Sequence, residues 1–138
     1  MYDRILVPTD GSPTASSAIQ AAVEMATRDG AEIHVLNVIN TRYYDTSIDS
    51  AVEPLRERGE GYVDSLAELA TDADVPVTTA VELGRPAQVI LEYVDDHAID
   101  LVVMGTSGRG DLERRLLGST TEYVVTHADV PVHVVPAV

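Results

Sequence analysis

Five runs rich in valine and isoleucine, separated by stretches of helical periodicity, constrain this chain more than any other feature. They are Arg4 to Val7, Glu32 to Ile39, Val75 to Leu83, Asp100 to Met104 and Val130 to Pro136. Continuous apolar runs, unlike alternating ones, mark strands buried on both faces, the condition of a parallel sheet covered by helices. Parallel neighbours require crossovers, and right-handed crossovers leave a doubly wound, Rossmann-like α/β sandwich with helices on both faces. At 138 residues, with no internal repeat or linker, the expectation is a single domain spanning 1–138.

The intervening segments carry helix signals. The first strand ends in Pro8-Thr9-Asp10-Gly11, a turn; Ser12 then reads as an N-cap and Pro13 as the first helical residue. Ala15, Ala18, Ile19, Ala22, Val23 and Ala26 recur at helical spacing until Gly30. A second helix is expected from about Ser50 to Thr71 on Val52, Leu55, Tyr62, Val63, Leu66, Leu69 and Ala70, with Pro54 tolerable only in its first turn and Gly59 and Gly61 weakening it. Pro86 opens a third helix running to about His97, and a fourth covers about Ser119 to His127. Pro131 and Pro136 place the last strand at a sheet edge, where a second chain can pair with it.

Charge bears on partners. Acidic residues number 23 against 9 basic ones, all arginine, for a net charge of −14, and there is no lysine. Such a charge spread along the chain costs stability by self-repulsion unless salt screens it, which predicts a halophilic, archaeal source; an ordinary acidic cytosolic protein is the alternative. A nucleic-acid or anionic-membrane surface would need a basic patch, so neither partner is expected. The absence of cysteine excludes a disulfide framework, a thiol nucleophile and a Cys-type zinc site. No stretch reaches the roughly 18 apolar residues of a membrane span and the start, MYDRILVPTDGS, does not read as a signal peptide, so the expected location is cytoplasmic.

In an open parallel sheet, ligands bind outside the carboxyl ends of the strands, where strand order reverses. That rule selects Pro8 to Ser12 and the stretch from Gly105 onward, GTSGRGDLERRLLGST. The latter is neither a Walker A loop, for want of lysine, nor a dinucleotide fingerprint, because its glycines follow the fourth strand. What remains is Gly105-x2-Gly108-x9-Gly118-Ser119. Glycines let backbone N–H groups approach an anion, and the following helix start adds unpaired donors and a positive dipole end, with hydroxyls from Ser119 and Thr120. The structural reading stands beside it: Ser119-Thr120-Thr121-Glu122 also fits a capping box serving only its own helix. Between Gly105 and Thr120, Arg109, Arg114 and Arg115 outnumber Asp111 and Glu113 in a molecule at −14, so an anion would settle there. Arg109 can reach a phosphate; Arg114 and Arg115 suit the surface, and Asp111 and Arg115 are spaced for an ion pair.

The chain resembles the nucleotide-binding branch of the universal stress protein family over nearly its whole length. The likeness runs through ILVPTDGS, GRPAQVILEYVDDHAIDLVVMGTSGRG and LLGSTTEYVVTHADVPVHVV, and the family pattern G-x2-G-x9-G-[S/T] is met without a gap. The resemblance implies a five-stranded parallel sheet in the order 3-2-1-4-5, a homodimer paired through the last strand (Val130 to Pro136), and ATP in the crevice. By position, Pro8, Thr9 and Asp10 would line the base and ribose side, and Val38 would meet adenine through its backbone. Met104 and Gly105 would flank the ribose, while Gly108, Gly118, Ser119 and Thr120 would hold phosphates. Ser107 stands where many relatives carry histidine. Asn40 to Asp49 matches no family motif, and Tyr43 and Tyr44 there read as a lid or as solvent-facing side chains.

Other chemistries are poorly supplied. A response-regulator receiver needs a second carboxylate beside Asp10, an aspartate after the third strand, which instead ends Glu82-Leu83-Gly84, and a lysine. Asp10 suits Mg2+, which takes one or two carboxylates plus phosphate oxygens. His34, His97, His127 and His133 fall in different predicted elements without ligand spacing and read as structural. No Ser-His-Asp arrangement is arguable, and Ser12 reads as a cap rather than a nucleophile. The leading expectation is an ATP-binding stress-response dimer with slow or no hydrolysis. The alternatives are a slow ATPase or autophosphorylating enzyme accepting phosphate on Ser119, Thr120 or Ser107, and an interaction protein with an empty pocket.

Overall fold

The computed structural model describes residues 1–43, 49–106 and 117–136. Five strands, β1 (Arg4–Thr9), β2 (Glu32–Asn40), β3 (Val77–Gly84), β4 (Leu101–Gly105) and β5 (Val132–Val135), alternate with four helices, α1 (Thr14–Asp29), α2 (Asp49–Asp72), α3 (Pro86–Asp96) and α4 (Ser119–His127). The strands form one sheet in the order β3-β2-β1-β4-β5, and every neighbouring pair is parallel. The expected doubly wound α/β fold is therefore the observed one, with β5 at an edge.

The pleat divides the apolar runs between two cores. Ile5, Val7, Ile33, Val35, Leu101 and Val103 point to the side of α1 and α2; Leu6, Leu36, Val102 and Met104 point to α3 and α4. Ile5, Leu6, Val7, Ile33, Val35 and Leu36 are fully excluded from solvent, and each such side chain contributes about 1.5–3 kcal/mol by leaving water. This two-sided burial is why the strands read as continuous apolar runs. The α1 face is made of Ala15, Ala18, Ala22 and Ala26 around Ile19, so this helix lies close to the sheet. Gly30 ends it as expected, with φ 72° and its N–H donating to the Ala26 carbonyl at 2.8 Å.

Several local expectations change. Pro13, not Ser12, occupies the cap position of α1, and no side chain caps it; the Ser12 hydroxyl instead meets the Thr14 hydroxyl at 2.9 Å. At α4 the cap is Gly118, again without a side-chain bond, so the Ser119–Glu122 capping box does not form; Glu122 N–H donates to the Gly118 carbonyl at 2.9 Å. Pro54 lies inside α2, beyond its first turn, where the bond it cannot donate is the one to the Ser50 carbonyl. Burial of Val52, Val63, Leu66 and Ala70 offsets that loss. Gly59 is there for packing: a Cβ would lie 2.5 Å from the Asn37 side-chain oxygen, so α2 reaches β2 only because the residue is glycine. β1 continues through Pro8 to Thr9 rather than stopping at Val7. Among the described residues no helix is long and apolar enough to cross a membrane.

Candidate functional site

Strand β1 follows β2 in register from Arg4–Glu32 to Thr9–Asn37, but its register pairs with β4 are Ile5–Leu101 and Leu6–Val102 alone. The upper halves of the two central strands are thus unladdered at the point where strand order reverses, which is also why Pro8 is accommodated within β1. A cavity of about 350 Å3 opens there, within the size range of small-ligand pockets.

Each element end contributes to it. Pro8, Thr9 and Asp10 come from the end of β1; Leu36, Val38 and Asn40 from β2, with Tyr43 just beyond; Met104 and Gly105 from β4. Ser12, Thr14 and Ala15 enter from the start of α1, Pro86 and Ile90 from α3, and Gly118, Ser119, Thr120 and Thr121 from α4. Nine of the eleven residues expected from sequence line one cavity: Pro8, Thr9, Asp10, Val38, Met104, Gly105, Gly118, Ser119 and Thr120. The other two, Gly108 and Arg109, lie outside the described residues, as do Ser107, Arg114, Arg115 and Tyr44. Leu36, Asn40, Pro86 and Ile90 were missed, though the period of two through Leu36, Val38 and Asn40 and the i,i+4 spacing of Pro86 and Ile90 carried the signal.

The wall is chemically divided. Leu36, Val38, Ile90 and Met104 make an apolar side, and hydroxyls from Thr9, Ser12, Thr14, Ser119, Thr120 and Thr121 make a polar one. Asp10 is the one charged side chain among the described lining residues. The N-termini of α1, α3 and α4 all point into this space, and neither α1 nor α3 has an acid in its first turn. In a chain with 23 acids that leaves the positive dipole end of α3 without an acid where an anion would approach, while before α1 the Asp10 carboxylate accepts from Ser12 N–H.

Hydrogen bonds set the loop shapes. Thr9 Oγ1 accepts from Gly11 N–H at 3.1 Å and Asp10 Oδ1 from Ser12 N–H at 2.8 Å, an Asx-type turn. Gly11 has φ 85°, and a Cβ on it would fall 2.5 Å from the ring of Tyr62. Across the cavity, Thr121 Oγ1 donates to the Gly105 carbonyl at 2.9 Å, and Gly118 N–H to the Thr106 carbonyl at 2.7 Å. These two bonds hold the start of α4 against the end of β4. A Cβ on Gly105 would lie 2.7 Å from Thr14, so α1 sits directly against the strand end. With the capping box absent, Ser119 faces the cavity with its hydroxyl uncommitted to its own helix.

The histidines do not contribute to this cavity, but two of them meet at the opposite end of the sheet. His34 Nδ1 lies 2.7 Å from the Tyr93 hydroxyl, and the His97 ring stacks on Tyr93 with centroids 3.7 Å apart. Burial lowers the His34 pKa below 6.5 and raises that of Tyr93 above 10.0. Hydrogen bonding from Arg4 at 2.7 Å lowers Glu32, whose carboxylate is 3.7 Å from His34 Nε2. Neutral His34 with its proton on Nε2 accepts from the Tyr93 hydroxyl at Nδ1 and turns its N–H toward the Glu32 carboxylate. Among the described residues no group of three or more potential ligands is arranged to hold a metal ion.

The model of the universal stress protein family matches residues 1–136. The chain belongs to that family. A universal stress protein from Methanocaldococcus jannaschii is 34% identical over 98% of this chain and 82% of its own length. The solved structure of the hypothetical protein MJ0577 superposes with a TM-score of 0.88 at 30% identity, covering 98% of this chain and 96% of that one. A universal stress protein solved in complex with cAMP has a TM-score of 0.74, covering 97% of this chain and 96% of its own. At 22% identity, that match bears on the fold. The order 3-2-1-4-5 implied by the family resemblance is the order seen in this universal stress protein domain.

Proposed function

We propose that the cavity takes ATP and that the protein is a nucleotide-dependent, dimeric stress-response regulator with slow or no hydrolysis. The observation that carries this reading is the meeting of the β1 turn, the end of β4 and the N-terminus of α4 in one cavity with an apolar side and a hydroxyl-lined side. Pro8, Thr9 and Asp10 would line the base and ribose side, the Val38 backbone would meet adenine, Met104 and Gly105 would flank the ribose, and Gly118, Ser119 and Thr120 would hold the phosphates, with Gly108 and Arg109 completing the cradle. A protein of the same fold is known in complex with cAMP, so the fold accommodates an adenine nucleotide. Asp10 supplies one carboxylate for a Mg2+ ion, whose remaining ligands would be phosphate oxygens and water. Such groups bind and orient a nucleotide without supplying an activated nucleophile.

Support for the dimer comes from β5, a four-residue edge strand pairing with β4 on one side. The reading also takes the chain as cytoplasmic and adapted to high salt, and its charge of −14 as unsuited to nucleic acid or membrane. Denaturing the purified protein and resolving the supernatant by ion exchange should release an adenine nucleotide. Absence of nucleotide, together with no ATP binding by calorimetry in high salt, refutes the proposal. The uncapped position of Ser119 favours one second reading, autophosphorylation: radiolabel on the protein that Ser119→Ala removes would establish it in place of binding alone.

A further inference from the structure

The geometry points to Asn37 as the positioning residue for the turn that meets the ligand, with Gly59 of α2 as the residue that lets it act. This inference rests on the nucleotide-binding reading above. Asn37 is a polar residue within an apolar strand, 6% exposed, and is the one on the α1 and α2 side, where Val35 and Val63 are buried. A buried amide there is costly unless bonded, so its partner identifies its task. The Nδ2 group donates to the Thr9 carbonyl at 2.9 Å. Thr9 is the last residue of β1 and the register partner of Asn37, at the level where β1 is no longer paired with β4. The amide thus clamps the strand end to β2 just before the chain turns through Asp10 and Gly11 along the cavity wall.

The other end of the amide sets its orientation. Oδ1 packs against Gly59, where any Cβ would approach to 2.5 Å. Three residues further along α2 from Gly59, the Tyr62 ring lies against Gly11 itself. Helix α2 contributes none of the described cavity residues, yet through Gly59 and Tyr62 it touches both the clamp and the turn. Asn37 therefore acts on the ligand through Thr9, and α2 acts through Asn37.

The test uses ATP calorimetry, thermal unfolding and the Gly11 and Ser12 amide resonances of the full chain in high salt. Asn37→Leu, which keeps the branched shape at somewhat greater volume and removes the donor, should weaken ATP binding about tenfold and shift both resonances. Gly59→Ala should do the same from a helix outside the cavity. Ile33→Val, at the other end of β2, is the control: a comparable fall in Tm with affinity unchanged. If Asn37→Leu does not fold, Asn37→Asp carries the same expectation, because its carboxylate repels the Thr9 carbonyl. Wild-type affinity in the Asn37 and Gly59 variants, or a loss no larger than that of an equally destabilised Ile33→Val, overturns the inference. Should the wild-type protein bind no ATP, the nucleotide reading fails, and unshifted Gly11 and Ser12 resonances in ligand-free Asn37→Leu would separately refute the clamp.

Discussion

Replacing Gly11 with alanine probes the turn beneath the cavity by two separable costs. With φ at 85°, an L-residue there pays for a left-handed backbone, about 1–2 kcal/mol. The added methyl would also lie 2.5 to 2.7 Å from three ring atoms of Tyr62, and overpacking of this kind costs about 1–3 kcal/mol. Together they predict a loss of about 2–5 kcal/mol, which for a domain of this size lowers Tm on the order of 10 °C. Differential scanning calorimetry and urea titration at fixed high salt measure it. A double-mutant cycle with Tyr62→Ala separates the terms: removing the ring should recover the steric part and leave the backbone part, a coupling of about 1–3 kcal/mol. A Gly11→Ala protein within about 2 °C of wild type would show that the turn relaxes freely and that Tyr62 does not shape it.

Four further outcomes are expected. The folded pKa of His34 lies below 6.5 and that of Glu32 below 4.5, so each group's contribution is present above those unfolded values and lost as pH falls through the folded ones. Urea midpoints should therefore decline as pH drops from about 6.5, and His34→Phe should flatten the upper part of the decline; an unchanged profile in that variant refutes the assignment. Ser119→Ala should leave Tm unaltered while weakening ATP binding, because Gly118 is the cap; a stability loss of about 1 kcal/mol would restore the capping box instead. Thr121→Val removes the bond to the Gly105 carbonyl and should cost about 1 kcal/mol by urea titration, no change meaning that the bond contributes nothing. Tm should rise steadily with KCl, since self-repulsion at −14 is screened by salt; a flat response removes the high-salt reading.

Local pattern carried far at some positions and stopped short at others. The bounds of α4 are as expected from Ser119 to His127, yet which residue caps it was ambiguous, because a Ser at the first helical position and a Ser at the cap leave the same string of letters. Gly59 looked like a weakness in α2 on propensity alone. Its reason is the Asn37 side chain of another element, invisible to any reading of α2 in isolation. His34 and His97 are separated by α2, β3 and α3 in sequence, and nothing in their spacing shows that Tyr93 joins them.

Periodicity and composition alone determined the doubly wound class, because strands buried on both faces must be apolar at every position and crossover helices must lie between them. Together with the glycine spacing they also located the crevice, since ligands of open parallel sheets lie at strand ends. Tertiary structure decided the rest: that β1 and β4 part above Leu6 to open the cavity, that Ser119 is not spent on its own helix, and that an asparagine in β2 and a glycine in α2 hold the turn at Thr9. Those facts depend on distances of a few ångströms between elements far apart in the chain, and sequence encodes such distances only through the packing of the whole fold.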